Sequence, residues 1–181
     1  MTASHGPAAA AVEALSAAHP GAVQEVQDFR GEATVVVAPE RILDALAFLR
    51  DRVAPRFAFL TDLTALDRLP QEPRFEVVYL VTALDPPARL RLKARLSADA
   101  PEIASATSLW PAADWLEREV YDFFGIRFRG HPDLTRILMP DDWEGHPLRK
   151  DFPLVEEPVE FVGRVPKPPS RIIPDVPPKG S

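Results

Sequence analysis

The residues able to do chemistry crowd into one stretch, Leu116–Leu154, which reads LEREVYDFFGIRFRGHPDLTRILMPDDWEGHPLRKDFPL. Two histidines, His131 and His146, stand in Gly-His-Pro triplets, with Asp133, Asp141 and Asp142 near them. Imidazole and carboxylate together could hold a divalent metal and activate water, and His131, Asp133 and His146 would be the trio of a hydrolase. The spacing matches no compact ligand pattern, such as two histidines one helical turn apart. The alternative is structural: proline pushes each preceding histidine out of the helical region, and each ring then pins its own turn by bonding a carbonyl or carboxylate. A second group is ionic, with Glu117, Arg118, Glu119 and Asp122 on the N-terminal side and Arg136, Arg149, Lys150 and Asp151 beyond. Buried carboxylates and guanidiniums of this kind must be paired and hydrogen-bonded. They would form a network that holds the fold or faces a partner protein; no catalytic residue is expected among them.

The elements that position these groups follow from pattern. Pro111 suits the first position of a helix, Ser108 a cap before it, and Gly125 the residue after its last turn. At about 100° per residue, Ala112, Trp115, Leu116, Val120, Phe123 and Phe124 cover one face. Glu119 falls within that arc, so its burial is expected, with Arg136 or Arg149 as counter-charge. Arg118 and Asp122 have the spacing of a local helical ion pair. Ile126–Arg129 alternates like a short strand.

Upstream, Pro7–Ala18 reads as a helix closed by His19-Pro20-Gly21. Val23–Phe29 and Ala33–Val37 flank the turn Arg30-Gly31-Glu32 as a hairpin, and Pro39 opens a second helix with Ile42, Leu43, Leu46, Leu49 and Val53 on one side. Phe57–Ala65 and Arg74–Thr82 read as strands. In the next, Leu90, Leu92, Ala94 and Leu96 alternate with Arg89, Arg91, Lys93 and Arg95, giving one apolar and one cationic face, and Asp85-Pro86-Pro87 makes the turn that pairs it with its predecessor. The cationic row reads as a solvated face or a surface for an acidic partner. Hairpin-clustered strands with helices on one face imply an α+β protein with a mostly antiparallel sheet, followed by an extended proline-rich tail. The chain divides into a core over 1–125, a rigid irregular segment over 126–154, and a tail over 155–181, where Pro158, Pro166, Pro168, Pro169, Pro174, Pro177 and Pro178 recur. Free in water such a tail would be disordered, and on a partner it would lie as an extended strap.

Composition narrows the classes. With 181 residues, 46% of them hydrophobic, the chain can bury a real core. A net charge of −6 argues against a general nucleic-acid binder. Zero cysteines means no disulfides and no thiolates for an iron–sulfur cluster of the usual kind. No apolar run approaches the roughly 20 residues a membrane span needs, and the alanine-rich start has no basic leader, so no secretory signal is expected. No glycine-rich phosphate loop, dinucleotide fingerprint or nucleophile elbow is present.

Glu117-Arg118-Glu119, Asp122-Phe123-Phe124-Gly125-Ile126, His131-Pro132-Asp133-Leu134 and Arg136-Ile137-Leu138 resemble the signature of the C subunit of respiratory complex I, the NADH–quinone oxidoreductase. Gly145-His146-Pro147-Leu148-Arg149-Lys150-Asp151-Phe152-Pro153-Leu154 resembles that family's second block. Thr135 stands where the family usually has a second basic residue. The resemblance implies a structural subunit of the peripheral arm of a proton-translocating complex, with no cofactor of its own; NAD, FMN, iron–sulfur clusters and quinone lie elsewhere in the complex. Its expected partners are other complex I subunits, chiefly the quinone-site subunit related to the large subunit of nickel–iron hydrogenases, with no nucleic acid and only indirect contact with the membrane. For residues 155–181 the resemblance implies the extended partner-binding strap. The implied location is the cytoplasmic side of the cell membrane. The alternative is the equivalent scaffold of a membrane-bound hydrogenase or formate-oxidising complex. The interface signature would comprise Glu117, Arg118, Glu119, Asp122, Gly125, His131, Pro132, Asp133, Arg136, His146, Pro147, Arg149, Lys150 and Asp151.

Overall fold

A five-stranded mixed sheet forms the centre of the computed structural model, which describes residues 6–153. In chain order the elements are α1 (Pro7–Ala18), β1 (Val23–Phe29), β2 (Glu32–Val37), a 3-10 turn (Pro39–Arg41), α2 (Ile42–Asp51), β3 (Phe59–Asp67), β4 (Phe75–Leu84), β5 (Pro87–Leu96), β6 (Glu102–Ala104), α3 (Ala113–Phe124) and β7 (Arg127–Arg129). The sheet order is β1-β2-β5-β4-β3, antiparallel except where β2 runs parallel to β5. The α+β reading holds. The proline-rich tail expected over 155–181, with Leu154, lies outside the described residues.

Alternation decides which side chains enter the core. Val35 and Val37 of β2, Val77, Tyr79 and Val81 of β4, and Leu90, Leu92 and Ala94 of β5 all point to one face. Val12 and Leu15 of α1, Ile42, Leu46 and Leu49 of α2, and Val120 and Phe124 of α3 complete the same apolar cluster. Burying one such side chain stabilises the fold by roughly 1.5–3 kcal/mol, so this face dominates the energetics.

The opposite face carries the cationic row of β5, and counter-charges for Arg91, Lys93 and Arg95 come from within the chain. Glu76 of β4 accepts from Lys93 Nζ and Arg95 Nε at 3.0 Å each. Arg95 also reaches Glu25 of β1 at 3.0 Å, and Arg91 reaches Glu32 of β2 at 3.2 Å. The long cationic stems lie along the sheet, and Val36 beneath them is fully buried.

Two features of the region around α3 depart from expectation. The cap is Ala112, with no side-chain hydrogen bond, so Ser108 does not cap the helix; Trp110, Pro111 and Ala112 belong to the turn that leads in. A second small sheet, β6 parallel to β7, brackets the helix at its base. Its three-residue strands are too short for periodicity to reveal β6 beforehand.

Candidate functional site

The signature segment is built around the last turns of α3. Gly125 ends the helix at φ +70, in the left-handed region that suits glycine, and its N–H donates to Tyr121 O at 2.9 Å. A helix end leaves further carbonyls without partners, and here the second Gly-His-Pro block supplies them. His146 Nδ1 donates to Asp122 O at 2.9 Å, Leu148 N to Phe123 O at 3.2 Å, and Arg149 Nε to Phe124 O at 2.7 Å. The Arg149 cation also opposes the negative end of the helix dipole. A Cβ on Gly125 would strike the His146 ring and lie 2.6 Å from Arg149 Nη2, so the block closes against a bare backbone.

The first block is anchored by the Asp122 side chain, which is fully buried. Oδ1 accepts from Arg136 Nη1 at 2.7 Å, and Oδ2 accepts from the backbone N–H groups of Ile137, Leu138 and Met139 at 3.2, 2.9 and 2.8 Å. Burial alone would raise the Asp122 pKa; the bonds from Met139, Leu138, Arg136 and Ile137 outweigh it and hold the carboxyl below the ordinary aspartate value. Arg118 donates to Thr135 O and Arg136 O at 3.2 and 3.0 Å. It does not pair with Asp122, because Arg136 already occupies that carboxylate.

Each histidine holds a turn. His131 Nδ1 accepts from Asp133 N at 3.0 Å, which makes Nε2 the protonated nitrogen, and Nε2 lies 3.2 Å from Asp114 O on α3. Burial pushes the His146 pKa down, consistent with a neutral ring that donates from Nδ1. The two imidazoles bond different carbonyls of the helix. Among the described residues no group of three His, Cys, Asp or Glu side chains is placed to hold a metal, so His131, Asp133 and His146 are not brought together as a ligand set. Pro132 and Asp133 are exposed and Pro147 half-buried along the same return path.

A third anchor joins the segment to the sheet. Arg74, 8% exposed, donates from Nε and Nη2 to Asp67 at 3.1 and 2.7 Å and from Nη1 and Nη2 to Asp151 at 2.9 and 2.7 Å. Lys150 N donates to Asp67 Oδ2 at 2.8 Å, and Lys150 Nζ to Leu69 O at 3.1 Å. The Arg74 and Arg149 guanidiniums lie 4.9 and 5.3 Å from the Phe75 ring centroid. Sequence pattern singles out neither Asp67 nor Arg74; their partner Asp151 is 77 residues from Arg74, and no local signal encodes that distance.

Glu119 is the clear correction. It is exposed, and Arg136 and Arg149 are committed to Asp122 and to Phe124 O. The buried glutamate of α3 is Glu117, at 0% exposure, with Ala113, Val120 and Phe124 on its face of the helix. Trp115, which the expected apolar arc places in the core, is 62% exposed with Arg118 5.2 Å from its ring centroid.

The block turns large apolar side chains outward beside the exposed acids Asp141, Asp142 and Glu144. Asp122 and Arg136 are taken up by internal bonds, while Leu138 and Leu148 are 60% and 53% exposed, and Trp143, stacked on Phe152, is 39% exposed. An α+β core with an irregular segment bonded onto it and large hydrophobic side chains turned outward has the build of a subunit of a larger assembly. Comparison with known proteins makes the class particular. Residues 35–158 match the family described as respiratory-chain NADH dehydrogenase, 30 Kd subunit, and the chain belongs to that family. The NADH-quinone oxidoreductase C subunit of Roseiflexus sp. (strain RS-1) is 51% identical over 153 residues, covering 84% of this chain and 88% of that one. Its counterpart of the same name in Citrifermentans bemidjiense is 52% identical over 144 residues, 80% of this chain and 88% of the relative. Among solved structures, the trypsin-resistant fragment (1-134) of Nqo5 has a TM-score of 0.59 at 34% identity, covering 68% of this chain and 96% of the fragment. A chain of the membrane-bound sulfane sulfur reductase, an archaeal respiratory membrane complex, has a TM-score of 0.68 at 28% identity, covering 80% of this chain and 84% of that one. The resemblance carried by the two signature blocks is borne out.

Proposed function

We propose that this chain is the scaffold subunit of the peripheral arm of a proton-translocating NADH–quinone oxidoreductase and that it binds no NAD, FMN, iron–sulfur cluster or quinone itself. In this reading it sits on the cytoplasmic side of the cell membrane. Its signature block, from Glu117 to Asp151, seats against the quinone-site subunit related to the hydrogenase large subunit. The observation that carries the reading is the division of labour within the block: Asp122 and Arg136 pair inward and the large apolar side chains of Leu138, Trp143 and Leu148 face out. The zero cysteine count supports the lack of a cluster. No helix among the described residues is long and apolar enough to cross a membrane, which supports attachment through partners.

The test uses the tagged full chain expressed with its operon partners. Leu138→Asp with Leu148→Asp should lower co-purification of the quinone-site subunit by roughly tenfold or more, the weight of a modest interface anchor, and leave the melting temperature of the subunit within a few degrees. Undiminished co-purification would overturn this face as the docking surface. The co-purifying proteins also separate the alternative, since a nickel-ligating large subunit in place of NADH-site subunits would indicate a hydrogenase-type complex.

A further inference from the structure

Helix α3 buries two carboxylates, and only one of them is accounted for. Asp122 has Arg136 and three backbone donors. Glu117 points the other way, into the core, at 0% exposure. Its Oε1 accepts from Ala106 N at 2.6 Å, and its Oε2 has no hydrogen-bond partner among the described residues. Tyr79 of β4 is also at 0% exposure, and its Oη has no partner among the described residues either. Buried side-chain oxygens in folded proteins are nearly always paired, so two orphaned oxygens in one core call for a common explanation.

The groups around Glu117 supply no fixed cation. Ser105 faces it from the turn after β6, His131 from the loop after β7, Asp114 from the first turn of α3, and Tyr79 from β4. His131 is committed through Nδ1 to Asp133 N and through Nε2 to Asp114 O. The Ala106 N–H, Ser105 and His131 favour the charged form, but burial outweighs them and none of these bonds reaches Oε2; the neutral acid turns Oε2 into a donor. A water enclosed beside it can accept that proton's hydrogen bond and donate on to Tyr79 Oη. Burial raises the pKa of Glu117 above the usual glutamate value of 4.5, and burial together with Glu117 raises that of Tyr79.

We propose that Glu117 remains a protonated carboxylic acid in the folded subunit at neutral pH, and that its Oε2 and Tyr79 Oη, which make no direct hydrogen bond, are joined inside the core through a single enclosed water. The chain then takes up a proton on folding. This property is independent of whether the signature block docks on the quinone-site subunit.

Infrared spectroscopy of the full chain carrying ¹³C-glutamate tests it. At neutral pH a carbonyl band of a protonated acid should be present, should shift with the label, and should vanish in Glu117→Gln. Tyr79→Phe should move the band to higher wavenumber by weakening its hydrogen bond. In denaturant titrations Glu117→Gln should gain on the wild type as pH rises above 4.5, because a raised pKa in the folded state makes stability fall through that window. A wild-type spectrum with no protonated-acid band at neutral pH overturns the protonation, and it does so even if Glu117→Gln does not fold. A band unmoved by Tyr79→Phe overturns the pairing.

Discussion

Arg136 and Asp122, fourteen residues apart, meet at 2.7 Å, and the same aspartate holds the chain at both of its polar ends. Its side chain fixes residues 136–139, and its carbonyl receives His146 Nδ1 at 2.9 Å. One position on α3 therefore sets the path of both signature blocks. Asp122→Ala would leave the Arg136 guanidinium and three backbone N–H groups without their acceptor. Removing one partner of a buried pair costs about 3–5 kcal/mol, which for a chain of this size lowers the melting temperature by roughly 6–20 °C. Thermal unfolding followed by circular dichroism measures it, and a loss under about 1 kcal/mol would show that the block is held elsewhere.

Gly125 tests whether the second block is a local unit. A non-glycine residue in the left-handed region costs about 1–2 kcal/mol, and the new Cβ would also displace His146 and Arg149. Gly125→Ala should therefore free residues 145–153 before it unfolds the sheet. Limited proteolysis should cut within that span faster than in the wild type, with the far-ultraviolet spectrum retained. Equal cleavage rates would mean that the helix end tolerates the side chain.

Much of the frame is legible in the sequence because it is written in local periodicity. The alternation of Leu90, Leu92, Ala94 and Leu96 with cations assigns β5 its faces, and Asp85-Pro86-Pro87 marks the turn to β4. Periodicity says which way a side chain points but not which strand lies beside it, so the parallel union of β2 with β5 and the approach of Arg74 to Asp151 stay hidden. The helix phase fails for a different reason. Weighting Trp115 as a core residue rotates the expected buried arc onto Glu119. The actual core face runs through Ala113, Glu117, Val120 and Phe124, and a small residue and a charged one are poor advertisements for burial. Asp122 lies on the opposite side of the helix and is buried only because residues 136–139 return over it.

That phase has a simple consequence for Glu119. Exposed and outside the hydrogen-bond network of the block, it should tolerate Glu119→Ala with a change within about 0.5 kcal/mol, as surface substitutions generally do. Urea unfolding of the variant beside wild type checks this. A cost above about 2 kcal/mol would place Glu119 in a buried contact and return the helix to its sequence-derived phase.

The carboxylates of the two anchors make stability depend on acid. The Arg74 hydrogen bonds hold Asp67 well below the usual aspartate range, and Arg74 lowers Asp151 as well. Asp122 is lowered by its four donors despite its burial. A pKa depressed in the folded state contributes stability that is complete above the unfolded value of 3.8 and is lost as pH falls below it. The unfolding free energy should therefore drop as the pH is taken from about 5 to about 2. Arg74→Met keeps much of the stem that lies against Phe75 but removes the charge that lowers Asp67 and Asp151. That variant should start less stable at neutral pH and lose less on acidification. Urea denaturation of both proteins across that range decides the matter, and parallel pH profiles would show that Arg74 does not set the acid response.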